Sequence, residues 1–108
     1  MLIIHGRFEV HPDDMEAWVE SAQRMATVSR TEPGCVAYDF SVDVLDPTHA
    51  YILQMWSSTE EHDAHTASAH HVTRTEELGH LRVETREIRY YDAEIVRDLL
   101  EERGTASS

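Results

Sequence analysis

The residues best suited to acid–base chemistry are three histidines that follow Trp56 closely. His62 and His65 are three residues apart, so on a helix they share one face, and His70 follows five residues later. A neutral imidazole is the side chain best placed to accept a proton near pH 7. This spacing favours proton transfer, with the tryptophan ring available to contact a flat aromatic ligand.

A metal centre is not predicted from this run of histidines. His62-x-x-His65 and His70-His71 lack the H-E-x-x-H or paired-cysteine spacing of zinc sites. The sequence also lacks a phosphate-binding loop, a glycine-rich dinucleotide fingerprint and a G-x-S-x-G elbow, so nucleotide chemistry and serine hydrolysis are not indicated. We therefore expect no metal and no nucleotide cofactor, and we place His71 and His80 on the surface.

The elements that must position these groups begin with a strand and a helix. Residues 1–10 alternate between two faces, which predicts a strand. Residues 12–30 carry apolar side chains at helical spacing behind an acidic start, and the Glu-Pro-Gly turn at 32–34 ends that helix. Two strands are predicted over residues 35–44 and 49–56, close enough to form an antiparallel hairpin.

Serine residues mark the starts of the next helical segments. Ser58 and Glu61 have the spacing of a capping box, which predicts a short helix that carries His62 and His65. Ser68 is the predicted cap of a second helical segment that runs through His80. A last strand is predicted near residues 84–91.

One domain is predicted over residues 1–96, because no repeat, low-complexity tract or linker interrupts them. The acidic segment 97–108 lies outside that domain; a helical pattern that starts near Asp92 reaches Arg103, and a disordered tail is predicted from Gly104. The order βαββαβ is that of the ferredoxin-like α+β fold, in which helices cover one face of a four-stranded antiparallel sheet.

The second face of this sheet has no helix to cover it. It carries apolar side chains among polar ones, and this apolar surface is too large to leave wholly in water. Packing of two such faces about a twofold axis would cover it, so we expect a homodimer. The face comprises Ile3, Tyr51, Leu53 and Met55, with His5, Arg7 and Asp39 among them.

A ligand cavity is predicted between the sheet and its helices. Gly6 stands where the alternation of the first strand requires a helix-facing side chain, and a glycine there is typical of close approach by a ligand or another backbone. Aromatic and aliphatic walls would suit a flat aromatic ligand. The predicted walls are Phe8, Tyr38, Phe40, Ile52 and Trp56.

Charge and composition exclude several classes of partner. The basic residues number 9 against 21 acidic ones, a formal net charge of −12. Nucleic acids and anionic membranes need clustered cations, so neither partner is expected. No apolar run approaches the ~20 residues of a membrane span. Cys35 is the single cysteine, which excludes an internal disulfide and fits a reducing compartment, so we expect a soluble cytoplasmic protein.

Several short motifs resemble the antibiotic biosynthesis monooxygenases, including the quinol monooxygenases, of the dimeric α+β barrel group. The resemblance covers residues 1–91 and implies a homodimer of ferredoxin-like subunits, each with a pocket between sheet and helices. It also implies oxidation of a quinol or polycyclic phenol by molecular oxygen without metal, flavin or haem. The matching residues are Glu32-Pro33-Gly34-Cys35, Tyr38, Trp56-x-Ser58, Ala64-His65 and His70.

An enzyme of this kind must desolvate its phenol, accept the phenolic proton and hold the resulting anion. His65 or His62 is then the expected base or hydrogen-bond partner, and Trp56 would fix the plane of the substrate ring. Tyr38 or His70 would donate to the developing oxyanion.

Other functions stay open beside this one. Autoinducer-processing isomerases of the same fold share the spaced His65 and His70, and a non-catalytic stress protein that binds quinones or other aromatics would use the same pocket. Haem degradation is not expected, because Gly6, His65 and Thr75 stand where haem-degrading relatives carry Asn, Trp and His. Structural roles are equally open: Trp56 as a core aromatic, and His65 and His70 as partners of backbone carbonyls.

Overall fold

The computed structural model describes residues 1–104, which form four strands and four helices. A 3₁₀ turn at Pro12–Asp14 precedes the first helix. The elements, in chain order, are β1 (Leu2–Val10), α1 (Met15–Ser29), β2 (Cys35–Val42), β3 (His49–Trp56), α2 (Thr59–Thr66), α3 (Ala69–Leu78), β4 (Val83–Asp92) and α4 (Leu99–Glu102).

The four strands form one antiparallel sheet in the order β2-β3-β1-β4, which confirms the predicted ferredoxin-like fold. Alternation along each strand fixes which side chains meet the helices. Gly6 pairs with Ile52 on one side and Ile88 on the other, and Tyr38 pairs with Gln54. These positions therefore share the helix-facing side of the sheet, where the core lies.

Helix α1 packs its apolar stripe against this face. Trp18, Ala22 and Met25, at helical spacing, are buried. The chain then turns at Gly34, whose φ is +78°. This conformation requires glycine, and a side chain at Gly34 would also displace the Glu61 carboxylate.

The two predicted serine caps are present. The Ser58 hydroxyl accepts a hydrogen bond from the Glu61 backbone N–H at the start of α2, and the Ser68 hydroxyl accepts one from His71 N–H at the start of α3. Ser68 also donates to the carbonyl of His65, 2.6 Å away. These caps fix the bend between the two short helices and so the positions of their histidines.

The predicted start of α1 and the predicted end of β2 differ from the structure. The α-helix begins at Met15 because residues 12–14 form the 3₁₀ turn. Strand β2 ends at Val42, since the Asp43 carboxylate accepts from the N–H groups of Leu45 and Asp46 and so starts a turn.

The predicted helix over 92–103 is wrong for most of its length. Strand β4 continues to Asp92, and Ala93 N–H donates to Met1 O, so this stretch extends the sheet edge. Helix is confined to Leu99–Glu102. The predicted disordered tail lies almost wholly in 105–108, outside the described residues.

The face of the sheet opposite the helices is uncovered in the single chain. Leu53 is exposed on it, and the rings of His5 and Tyr51 stack with centroids 6.0 Å apart. The predicted pairing of two such faces into a homodimer stays a prediction. Within residues 1–104, no helix has the length and apolar character needed to span a membrane.

Candidate functional site

A cavity of about 260 Å³ lies between the sheet and the α2–α3 pair. Four of the five predicted wall residues line it, namely Phe8, Tyr38, Phe40 and Ile52. A larger groove of about 390 Å³ runs along α1 and β2, but its lining contains no histidine. Because acid–base chemistry near neutral pH needs such a group, the smaller cavity is the candidate site.

The mouth of the cavity lies between α3 and β4. The lining residues at this place are exposed: Thr75 on α3, and Thr85, Ile88 and Tyr90 on β4. Tyr90 is 58% exposed although it belongs to the helix-facing side of the sheet. The α2–α3 pair therefore leaves part of β4 uncovered, and a ligand can enter there.

Two histidines line the cavity. His62 is buried, with its ring 5.8 Å from Trp56 and 5.5 Å from Tyr90 between centroids. Burial, assisted by nearby His65, lowers the pKa of His62 below its usual value. Burial also lowers the pKa of His71, which lines the cavity. Because His71 is half-buried there, the surface position expected for it is wrong. Both imidazoles are therefore neutral at pH 7 and able to accept a proton.

Trp56 lies behind the cavity wall. Its side chain is 0% exposed, and its Nε1–H donates to Gln54 Oε1 at 2.9 Å. Gln54 does line the cavity. Since the Gln54 carbonyl is engaged, its amide N–H₂ is the group available to a ligand. Sequence reasoning missed Gln54, although a polar residue at an inward-facing position between Ile52 and Trp56 was the available signal.

A hydrogen-bonded cluster ties His65 and His70 to Glu32. His65 is 1% exposed, and its Nδ1 lies 2.7 Å from Glu32 Oε1, while His70 Nε2 lies 2.9 Å from the same oxygen. Burial alone would raise the pKa of Glu32, but the hydrogen bonds from both imidazoles lower it overall. Burial lowers the pKa of His65 despite the attraction of Glu32. The consistent state is a neutral His65 whose Nδ1–H donates to an ionised Glu32.

The other nitrogen of His65 faces Tyr38. Tyr38 Oη lies 3.4 Å from His65 Nε2, which accepts once Nδ1 carries the proton. Burial raises the pKa of Tyr38 well above its usual range, so the phenol stays protonated. Because Tyr38 also lines the cavity, it joins the Glu32 cluster to the ligand space.

Glu32, His65 and His70 are also the residues that could hold a metal ion. Their ligand atoms all lie within 4.8 Å of one another, and a carboxylate with two imidazoles is a common donor set. Both imidazoles lie within hydrogen-bond distance of one Glu32 carboxylate oxygen, so these hydrogen bonds hold the three side chains together without a metal ion. The sequence places Glu32 in a turn and in a motif of the resembling family but does not predict its contacts with the histidines, because His65 and His70 are 33 and 38 residues away.

The predicted site residues thus fall into two groups. Those that line the cavity are Phe8, Tyr38, Phe40, Ile52 and His62. Those that lie beside it are Gly6, Trp56, His65 and His70. The close approach at Gly6 is made by side chains, since a Cβ there would lie 2.9 Å from Ile52 Cγ2 and 3.3 Å from Phe8 Cζ.

The fold and the site together define a small α+β protein with an aromatic-walled cavity and buried neutral histidines at it. Residues 1–85 match the family of antibiotic biosynthesis monooxygenases, and the chain belongs to that family. The match includes β1 to β3, both helices over the cavity and the first residues of β4.

Solved structures agree with this assignment. A candidate antibiotic biosynthesis monooxygenase from Deinococcus radiodurans is 25% identical, with a TM-score of 0.84 over 92% of this chain and 98% of that one. An antibiotic biosynthesis monooxygenase is 26% identical, with a TM-score of 0.76 over 86% of this chain and 98% of that one.

A sequence relative is the uncharacterized protein sll1783 of Synechocystis, 26% identical over 90 residues. The match takes in 83% of this chain but 61% of that protein, so the chain spans under two thirds of its curated relative.

Proposed function

We propose that this protein is a monooxygenase that oxidises a quinol or phenol with molecular oxygen and requires no metal or organic cofactor. The observation that carries the proposal is the neutral His62 imidazole inside an aromatic-walled cavity. Such an imidazole can take a phenolic proton near pH 7. Membership of the monooxygenase family supports the reaction class.

The substrate supplies the electrons in this reaction. After the imidazole removes one hydroxyl proton from 1,4-dihydroxynaphthalene, the anion gives one electron to oxygen, and the two radicals combine as a ring hydroperoxide. Loss of water breaks the O–O bond and leaves a carbonyl, which tautomerises to 2-hydroxy-1,4-naphthoquinone. One oxygen atom enters the product and the other leaves as water, so the atoms and electrons balance.

Two donors could hold the anion in place. The Gln54 amide N–H₂ is available because Trp56 engages the carbonyl of the same side chain. The Tyr38 hydroxyl stays protonated and lies on the cavity wall, and its O–H can turn from the long 3.4 Å contact with His65 Nε2 to the anion. Donors fixed in advance stabilise a developing oxyanion more than mobile water does. In this arrangement Trp56 positions Gln54, whereas the sequence suggested that Trp56 contacts the substrate ring directly.

The volume of the cavity limits the substrate. About 260 Å³ lies just below the roughly 300–1,000 Å³ of typical small-molecule sites. A substrate of one or two fused rings therefore fits better than the larger polycyclic phenols that the family resemblance suggested. We keep the homodimer and the cytoplasmic location as parts of this proposal, and sedimentation equilibrium at micromolar concentration would test the first.

The decisive measurement is oxygen uptake with 1,4-dihydroxynaphthalene. Protein treated with a chelator should consume oxygen faster than buffer and faster than heat-denatured protein, with the hydroxyquinone as product. His62→Gln should lower kcat by about 10²-fold, because it removes the base while the walls remain. His80→Gln is the matched control, since His80 is exposed and outside the cavity lining.

Each alternative function gives a different result. Tight binding without uptake would replace the proposal by sequestration of aromatics. Exchange of solvent deuterium into a hydroxyketone without uptake would replace it by isomerisation. Equal loss of activity in His62→Gln and His80→Gln, with both variants folded by circular dichroism, would remove His62 from the mechanism.

A further inference from the structure

The cavity contains a buried cation that the proposed chemistry does not use. Arg74 on α3 lines the cavity and is 8% exposed. Its guanidinium carbon lies 5.4 Å from the Trp18 ring centroid and 4.8 Å from that of Phe40. Its Nη1 donates to the Ser21 hydroxyl at 2.8 Å. The guanidinium is therefore held in one place by two rings and a hydrogen bond.

No ion pair within residues 1–104 includes Arg74. Glu77 lies near enough to raise the pKa of Arg74, but its carboxylate pairs with Arg24. Burial, the larger effect, lowers the pKa of Arg74, yet a guanidinium keeps its charge in proteins. A buried charge without a counter-ion is costly, and bringing an anion to it would offset that cost.

The other lining residues leave the cavity open to an anion. The protein has 21 acidic residues, but none among those described lines this cavity. His62 and His71 are neutral there, and Gln54 offers an amide donor. The acidic side chains are thus absent from the lining of this cavity, whereas Glu77 lines a smaller cavity of about 190 Å³ that Arg74 also borders.

We propose that Arg74 is the anion-binding residue of this cavity and that the ligand is an aromatic acid: one or two fused rings bearing an ionised carboxylate. The planar guanidinium can bind a carboxylate through two parallel hydrogen bonds. The aromatic walls then contact the ring, and the cavity volume of about 260 Å³ suits a ring system of this size. This assignment rests on the proposed function, because it names the class of substrate that the same cavity would bind.

Binding measured without oxygen tests this assignment separately from turnover. The probes are 2-naphthoate and its uncharged amide, 2-naphthamide, titrated under argon at pH 7.5 by calorimetry. Wild-type protein should bind the carboxylate at least tenfold more tightly than the amide. Arg74→Gln should abolish that preference and leave amide binding within threefold. Arg97→Gln, at an exposed position outside the cavity lining whose ion pair is with Glu102, is the matched control and should retain the preference.

A second variant, Arg74→Lys, tests the same assignment if Arg74→Gln fails to fold. Arg74→Lys retains the charge but not the planar pair of donors, and it should reduce the preference for naphthoate without removing it. Equal affinity of wild-type protein for the two probes would overturn the proposal, as would a preserved preference in folded Arg74→Gln. Absence of oxygen uptake with any phenol would refute the monooxygenase and leave the anion site standing.

Discussion

Replacement of Glu32 by glutamine tests how strongly one carboxylate joins the end of α1 to α2 and α3. Two imidazole nitrogens, of His65 and His70, lie 2.7 and 2.9 Å from the same oxygen, and the Glu32 side chain is 16% exposed. A hydrogen bond to a charged group contributes about 1.5–3 kcal/mol, against about 0.5–1.5 kcal/mol for a neutral pair. Each bond therefore loses about 1 kcal/mol in Glu32→Gln, or about 2 kcal/mol in total.

The pH dependence of this loss has a definite sign. The folded-state pKa of Glu32 lies below its ordinary value of 4.5. Its contribution is therefore complete above about pH 4.5 and disappears as pH falls through the lower, folded value. The difference in unfolding free energy between wild type and Glu32→Gln should be full at pH 7.5 and should shrink in acid.

Urea unfolding followed by circular dichroism, at one fixed protein concentration, measures the difference. With a slope of about 1–3 kcal/mol/M for a chain of this size, 2 kcal/mol lowers the midpoint by about 1 M. Glu76→Gln is the matched control, because Glu76 is exposed on α3. The reasoning is refuted if Glu32→Gln and Glu76→Gln are equally stable at pH 7.5, or if the deficit of Glu32→Gln grows in acid.

Gly6→Ala should destabilise the protein by about 1–3 kcal/mol, because the new methyl group would overpack the contact with Ile52 Cγ2; an unchanged melting temperature would show that Ile52 moves aside. Stability should also fall as pH drops below about 6.5, since burial lowers the pKa of His62, His65 and His71, and the unfolded chain then binds more protons than the folded one. Urea midpoints at pH 7.5, 6.5 and 5.5 measure this effect, and a midpoint that rises on acidification would contradict it.

The features that local sequence could predict are those that depend on neighbours along the chain. Alternation in β1, the stripe of α1 and the caps Ser58 and Ser68 each arise from residues within about four positions of one another. Strand β4 was harder to place because a register shift interrupts its alternation, and because Ile88 and Tyr90 on its helix-facing side remain exposed. The helix predicted over residues 92–103 is wrong at its start because Asp92 pairs with β1 and Ala93 N–H donates to Met1 O.

The candidate site was less predictable because its contacts join distant segments. The aromatic walls followed from strand alternation, and His62 from helical spacing. The motif Glu32-Pro33-Gly34-Cys35 included Glu32 but not its role as a partner of His65 and His70, since these lie on a separate pair of helices. Neighbouring residues in the sequence give no sign that Arg74 is buried, and only the packed structure shows its position against Trp18 and Phe40.

The position of the cavity mouth has a consequence for any assembly of this chain. The mouth opens between α3 and β4, on the helical side, whereas the uncovered sheet face is on the reverse. Two copies joined back to back through their sheets would keep both entrances free and widely separated. Each subunit of such a dimer would be stabilised by the buried sheet interface, and each would bind and release its ligand independently of the other.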